Sequence, residues 1–116
     1  LDSAPSSLKH LAVGSNAFEG HFPEQILRLH RLHTLRASYN AGIVGTIPPE
    51  IGSMAALRQL ELSYTGLKGT IPTELGQLSN LEYLSLDNNR FHGDIPFELG
   101  DLIKLKYLSL RSSELG

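Results

Sequence analysis

The sequence of 116 residues contains no cysteine. Disulfide bonds and metal sites built on thiolate ligands are therefore excluded within it. Neither sign of charge dominates, because 10 Lys and Arg residues face 12 Asp and Glu residues and the formal net charge is −2. Nucleic-acid-binding proteins normally carry a basic face, so the composition predicts no nucleic-acid partner.

Long apolar runs are also missing. No stretch approaches the roughly 18 apolar residues that a membrane-spanning helix needs. The chain begins at Leu1, without the basic segment and apolar stretch of a signal peptide. We therefore expect no membrane contact by this segment. Hydrophobic residues still make up 41% of the chain, which is enough for a packed core.

The motifs of common enzyme classes are absent. The sequence has no G-x-S-x-G, no H-E-x-x-H and no glycine-rich phosphate loop that opens a helix. His30 and His33 form H-x-x-H, but no third metal ligand lies in phase with them. We expect no metal or other cofactor, and we predict that the chain is not an enzyme.

A repeat dominates the sequence. Similar segments begin at separations of 24, 25, 24 and 24 residues, at Leu8, Leu32, Leu57, Leu81 and Leu105. Aligned, they read L-x-x-L-x-L-x-x-N-x-L-x-G-x-I-P-x-x-L-G-x-L. The alternating leucines predict a short strand with one buried face, and strands of equal phase should stack in parallel. The proline of each repeat ends the extended segment and opens a short helical turn.

Two further columns have a backbone role. The glycines suit a positive φ or a close backbone approach, at Gly20, Gly45, Gly69 and Gly93. The asparagines should bond backbone groups where the chain leaves the strand, at Asn16, Asn40 and Asn89. Thr65 and Ser113 replace the asparagine in two repeats, where a hydroxyl can do part of this work.

These patterns predict one α/β solenoid with a parallel sheet on one face and short, partly 3-10 helical turns on the other. Residues 1–7 form an irregular lead-in, and residues 8–116 form the repeats 8–31, 32–56, 57–80, 81–104 and the partial 105–116. Stacking of neighbouring repeats closes the core. The pattern stops within the fifth repeat, so we expect a fragment of a longer chain, with apolar surface open beside Leu108 and Leu110.

The combined motif resembles the plant-type leucine-rich repeat. Its class mark is an Ile-Pro step, present as Ile47-Pro48, Ile71-Pro72 and Ile95-Pro96. The resemblance implies a right-handed solenoid with a concave sheet, in the ectodomain of a receptor-like kinase or receptor-like protein. It also implies an extracellular or cell-surface location, a protein or peptide ligand, and a co-receptor. A secreted inhibitor of a wall-degrading glycosidase, a purely structural spacer and a cytoplasmic location stay open as alternatives.

The positions between the leucines form columns across the predicted sheet, and these columns contain all four tyrosines. Tyrosine is favoured at interfaces because it combines a large contact area with a polar tip. Alternatively, neighbouring rings only stack on each other, and the charged residues only form cross-strand ion pairs. We predict a ligand-binding surface made of Arg36, Tyr39, Glu61, Tyr64, Tyr83, Asp87, Asn88, Tyr107 and Arg111.

Overall fold

The computed structural model describes residues 7–13 and 19–111 and the backbone of residues 114 and 115. Asn16 and Ser113 of the asparagine column lie outside the described residues. The strands are β1 (His10–Ala12), β2 (Thr34–Arg36), β3 (Val44–Gly45), β4 (Gln59–Glu61), β5 (Gly66–Gly69), β6 (Tyr83–Ser85), β7 (Arg90–Gly93), β8 (Tyr107–Ser109) and β9 (Glu114–Leu115). The helices are α1 (Glu24–Leu27) and three 3-10 helices, Pro49–Ser53, Thr73–Gln77 and Phe97–Asp101.

A five-stranded parallel sheet collects one strand from each repeat. Its order is β1-β2-β4-β6-β8, and the register places Leu35 beside Leu60 and Leu60 beside Leu84. The leucines therefore form a row across the sheet, as equal strand phase predicts. This sheet is the concave face of the solenoid.

A second parallel sheet, of order β3-β5-β7-β9, was not predicted from the sequence. Its strands have only two to four residues, and no apolar alternation marks them. Three of them end at a glycine of the predicted column, and Gly45, Gly69 and Gly93 have φ values of 84°, 82° and 85°. The expectation of positive φ at this column is confirmed, because each strand must turn sharply toward the next helical segment.

The helical turns begin after the prolines, as predicted. Pro48, Pro72 and Pro96 precede the three 3-10 helices with φ values of −70°, −68° and −61°. Each helix also carries a glutamate in its first turn, where negative charge is favoured. In the first repeat, an α-helical turn takes the place of the 3-10 helix.

The core lies between the two sheets and the helical side. Leu35, Leu60 and Leu84 have no exposed surface, whereas their counterpart Leu108 is 43% exposed. Leu110 is partly buried and packs against the core. Burial of each leucine side chain contributes about 1.5–3 kcal/mol, so repeat-to-repeat contact is the main source of stability.

Candidate functional site on the concave sheet

The two tyrosine pairs expected from the sequence are present. The rings of Tyr39 and Tyr64 stack with centroids 4.8 Å apart and planes inclined by 7°. Those of Tyr83 and Tyr107 stack at 4.4 Å, also at 7°. Tyr83 lies opposite Tyr107 in the register of β6 and β8. The sheet thus presents two pairs of stacked aromatic rings, Tyr39–Tyr64 and Tyr83–Tyr107.

Tyr39 and Tyr64 differ from the other pair in backbone conformation and exposure. Both residues follow a strand by three positions, and they are 58% and 47% exposed. Their φ values are positive, 62° and 56°, and Asn88 in the next repeat has a φ of 58°. Left-handed backbone costs an ordinary L-residue roughly 1–2 kcal/mol, and asparagine tolerates it better than tyrosine. The fold therefore holds two exposed aromatic rings at positions where another residue type would be more stable.

The Tyr83–Tyr107 pair is less exposed than the Tyr39–Tyr64 pair. Tyr83 is half-buried and Tyr107 is 42% exposed. Partial burial raises the pKa of Tyr83, and the nearby negative charge of Glu61 and contact with Tyr107 raise it further. This phenol therefore stays protonated and can donate a hydrogen bond.

Asp87 is buried, which corrects the expectation that its side chain faces outward as part of the ligand-binding surface. The residue is 5% exposed, and Ser63 of the same column is 7% exposed. The Ser109 hydroxyl lies 2.7 Å from both carboxylate oxygens, and the backbone N–H of Arg111 donates to Oδ1 at 2.7 Å. Its carboxylate is therefore engaged within the fold.

The same column joins the preceding repeats. The Ser38 hydroxyl accepts the backbone N–H of Ser63 at 2.9 Å, and the Ser63 hydroxyl accepts that of Asp87 at 3.2 Å. The Ser63 hydroxyl also lies 2.5 Å from that of Ser85. These side chains extend the hydrogen-bond ladder of the sheet beyond the strand ends. We assign Asp87 a supporting role for the two adjacent segments, in successive repeats, that carry Asn88 and Arg111.

The carboxylate of Asp87 makes stability depend on pH. Burial alone would raise its pKa, but the hydrogen bonds from Ser109 and Arg111 and the positive charge of Arg111 outweigh burial and lower it. A lowered folded pKa contributes stability that is complete above the unfolded value of 3.8 and is lost as pH falls through the folded value.

Asp87→Asn should therefore flatten the acid limb of the stability curve and lower the free energy of unfolding at neutral pH by about 2 kcal/mol. Urea denaturation between about pH 2.5 and 7 measures both effects. Ser109→Ala, which removes one donor, should give an intermediate acid limb. An unchanged acid limb in Asp87→Asn would show that other carboxylates control it.

Both predicted cross-strand ion pairs are present. The Arg36 Nε atom lies 3.8 Å from a Glu61 oxygen, and an Arg111 guanidinium nitrogen lies 3.4 Å from Asp87 Oδ2. The arginine side chains are 57% and 79% exposed, so each pair contributes about 0–1 kcal/mol. Both guanidinium groups keep donor positions for a ligand. Asn88 is partly exposed, and its backbone N–H donates to the carbonyl oxygen of Arg111 at 2.9 Å.

Sequence reasoning did not single out a basic group at the amino-terminal end of this sheet. His10 and His33 meet edge to face with ring centroids 6.1 Å apart. Together with Arg58 they line a cavity of about 290 Å³. Partial burial lowers the pKa of His33, and the positive charges of Arg58, Lys9 and His10 lower it further. We call Lys9, His10, His33 and Arg58 the basic notch. In the sequence, three of these residues are the first members of the column that follows the first leucine of each repeat, which reads Lys9, His33, Arg58, Glu82 and Lys106.

His30 lies apart from the notch. It lines a cavity of about 480 Å³ between α1 and the first 3-10 helix, together with His21 and Arg28. The two histidines of the H-x-x-H motif therefore face different cavities.

Among residues 7–13 and 19–111, no three His, Asp or Glu residues are placed to hold a metal ion. In the same part of the chain, no helix is long and apolar enough to cross a membrane.

Comparison with known proteins identifies the repeat. The family model described as Leucine Rich Repeat matches residues 56–78 and 80–102. No curated protein matches the sequence. Among solved structures, the chain is similar to the Arabidopsis receptor kinase HAESA, solved in complex with the peptide hormone IDA and the co-receptor SERK1. The identity is 34% with a TM-score of 0.86, over 93% of this chain and 18% of that one.

Two other similar structures are a plant ice-binding protein and the BIR3–SERK2 complex of Arabidopsis thaliana. The first is 34% identical with a TM-score of 0.83, over 93% of this chain and 34% of that one. The second is 35% identical with a TM-score of 0.79, over 83% of this chain and 51% of that one. This chain thus spans about half or less of the length of these relatives. Residues 56–78 and 80–102 thus carry leucine-rich repeats, and the solenoid resembles a segment of plant receptor ectodomains.

Proposed function

We propose that this chain is a non-catalytic binding module whose concave face holds a protein or peptide ligand. The observation that carries the proposal is the exposed Tyr39–Tyr64 stack, held at positive φ in two successive repeats. Unfavourable backbone conformations persist only where the rest of the fold compensates for them, and they concentrate at functional sites. Stacking between the rings returns only about 0.5–1.5 kcal/mol, which does not exceed the combined backbone cost of two such residues.

The surrounding chemistry fits a protein or peptide surface. Arg36 and Glu61 lie near the tyrosines and bring both signs of charge, and Arg111 adds an exposed guanidinium. Aromatic residues and arginine are enriched in protein interfaces, whereas a nucleic-acid surface would be uniformly basic. The similar structures include a receptor kinase bound to a peptide hormone and a co-receptor, which supports this ligand class.

The finer parts of the proposal follow from the same similarity. We place the chain in the ectodomain of a receptor-like protein or receptor kinase, outside the cell or at its surface. There the concave face would bind the ligand, and a co-receptor would be a second partner. Arg36, Tyr39, Glu61, Tyr64, Tyr83, Asn88, Tyr107 and Arg111 form the proposed contact surface, with Asp87 beneath it.

A double variant, Tyr39→Asn with Tyr64→Asn, tests this function. Asparagine already occupies the equivalent position at Asn88 with positive φ. Relief of the backbone should at least offset loss of the stack, so the free energy of unfolding should fall by less than about 1 kcal/mol and can rise. Short random peptides displayed on phage would be selected on the unmodified chain. The selected peptides should bind the double variant at least about tenfold more weakly.

The matched control is Tyr39→Phe with Tyr64→Phe, which keeps both rings and the stack. It should retain most of the peptide affinity and so separate ring contact from the phenol groups. Peptides that bind the asparagine variant as tightly as the unmodified chain would place the site elsewhere. Failure of the selection to enrich any peptide would contradict a peptide-binding surface. Loss of stability without loss of affinity would mean that the rings serve only to pack, as in a structural spacer.

A further inference from the structure

The basic notch collects basic side chains that take part in no ion pair among the described residues. Among the described residues, ion pairs join Arg36 to Glu61, Lys106 to Glu82, and Arg111 to Asp87. None of them includes a residue of the notch. Glu82 lines the same cavity, but its carboxylate lies 3.4 Å from the Lys106 ammonium group. The basic side of the cavity therefore has no ion-pair partner of its own, and the one carboxylate in the lining is paired with Lys106.

Backbone hydrogen bonds hold the notch residues in adjacent repeats together. The His33 N–H donates to the Lys9 carbonyl oxygen at 2.7 Å, and the Arg58 N–H donates to the His33 carbonyl oxygen at 2.7 Å. The His10 ring is placed by a 3.1 Å hydrogen bond between its Nδ1 atom and the Thr34 hydroxyl. The stacking of three repeats thus places the backbone of these residues side by side, so their side chains share one end of the sheet.

We propose that the basic notch binds a carboxylate group of the ligand that the concave face holds, an inference that rests on the function proposed above. Guanidinium and protonated imidazole groups donate hydrogen bonds, and a carboxylate accepts several of them at once. The cavity of about 290 Å³ has room for an acidic side chain or a chain terminus. The preferred ligand is therefore an acidic peptide.

Binding in the notch is coupled to the protonation of His33. In the free protein, its positive neighbours are Arg58 from the third repeat and Lys9 and His10 from the first. Glu82, on the far side of the cavity, is compensated by Lys106. A bound carboxylate adds the missing negative charge and favours the protonated imidazole. By linkage, carboxylate affinity rises as pH falls through the titration of His33.

The notch and the tyrosine stack lie at opposite ends of the strands. Tyr39 follows His33 by six positions along the chain, which corresponds to at most about 20 Å of extended backbone. A peptide of about six extended residues can therefore reach both sites. The notch would fix one end of such a peptide, and the tyrosine rings would pack on its other end.

Succinate serves as the probe, because it carries carboxylates and needs no identified ligand. Proton NMR of the histidine rings would follow its addition to the chain at constant ionic strength, at about pH 5.5 and about pH 7.5. We expect succinate to shift the His33 and His10 signals, to raise the pKa of His33, and to bind at least about tenfold more tightly at the lower pH. Arg58→Gln should weaken this binding by about tenfold or more.

The matched control is Lys68→Gln, which removes an exposed cation from β5 in the second sheet. It should leave succinate binding unchanged. Equal shifts in all five histidines, or equal binding by Arg58→Gln, would overturn the proposal by showing a general salt effect. Absence of any shift at His33 would overturn it as well. If peptides bind in a way that depends on Tyr39 and Tyr64 but succinate causes no response, the carboxylate site in the notch is rejected and the proposed peptide-binding function is kept. A succinate response without peptide binding would reject the proposed function alone.

Discussion

Replacing Asn89 by alanine should lower the free energy of unfolding by at least about 3 kcal/mol, the largest effect expected of a single polar side chain here. The side-chain amide joins two successive repeats from a position that is 7% exposed. Its Nδ2 atom donates to the carbonyl oxygens of Leu62 at 2.8 Å and Leu86 at 3.0 Å. Its Oδ1 atom accepts the backbone N–H of Thr65 at 2.9 Å and also the Thr65 hydroxyl.

The loss is large because alanine would leave these backbone groups buried without partners. A buried, unsatisfied polar group costs about 1–3 kcal/mol, more than the net value of the hydrogen bond itself. Thr65 cannot compensate, because its hydroxyl lies 3.5 Å from the Leu62 carbonyl oxygen and reaches the Leu67 N–H at 3.3 Å. The Thr65 hydroxyl therefore replaces only part of the hydrogen bonding of an asparagine, as expected. The remaining backbone groups are satisfied by Asn89.

Asn80→Ala is the matched control for this prediction. Asn80 also donates its amide to a carbonyl oxygen of the preceding repeat, that of Ala55 at 3.0 Å, but at an exposed position. Water can replace that hydrogen bond, so the loss should be about 0.5 kcal/mol. Urea denaturation of both variants under the same conditions gives the comparison. Similar losses in the two variants would contradict a special role for the buried asparagine.

Replacing Gly76 by alanine should lower the free energy of unfolding by about 3 kcal/mol through overpacking. A Cβ atom at this position would lie 2.5 Å from the Glu98 carbonyl oxygen and 3.0 Å from its carbonyl carbon. These are backbone atoms of the next 3-10 helix, so they cannot move without shifting that helix. The glycine of the L-G step thus allows successive helical turns to approach closely. Gly52 meets the Glu74 carbonyl oxygen in the same way, at 2.7 Å.

Gly100 offers the matched control, since it occupies the same place in the next repeat. A Cβ atom there has no neighbour within 4 Å. Because alanine favours helical backbone by about 0.5–1 kcal/mol over glycine, Gly100→Ala should be neutral or slightly stabilising. Chemical denaturation with a folded-state check by circular dichroism measures both variants. Equal responses at the two glycines would mean that helix propensity, and not the contact with Glu98, controls the effect.

Much of the scaffold follows from the sequence, because each rule that shapes it is local and is repeated. Alternating leucines indicate a buried strand face, an Ile-Pro step ends the extended segment, and a glycine at fixed spacing allows the positive φ seen at Gly69. Equal spacing of the copies then requires the strands to stack in parallel. The second sheet escaped prediction because strands such as Val44–Gly45 are too short for a period to appear.

The candidate site was only partly predictable. The repeat spacing places Tyr39 beside Tyr64 and Arg36 beside Glu61, and both contacts are present. Asp87 also lies beside Arg111, but its carboxylate is buried, because it accepts the backbone N–H of the next repeat. A polar side chain between the leucines can lie along the sheet and form hydrogen bonds with backbone groups of the next repeat. No periodic pattern in the sequence shows which side chains do so.

By itself, the sequence determined the repeat, the phase of the strands, the leucine core and the columns that carry the tyrosines. Only the tertiary structure decided which polar side chains remain available to a ligand. The partners of Asp87, His33 and Tyr64 come from neighbouring repeats, about one repeat length away along the chain. Alignment of the repeats shows which of these residues lie side by side in the sheet. Burial, φ and hydrogen-bond direction decide whether a side chain supports the scaffold or faces a ligand, and these arise only when the repeats pack.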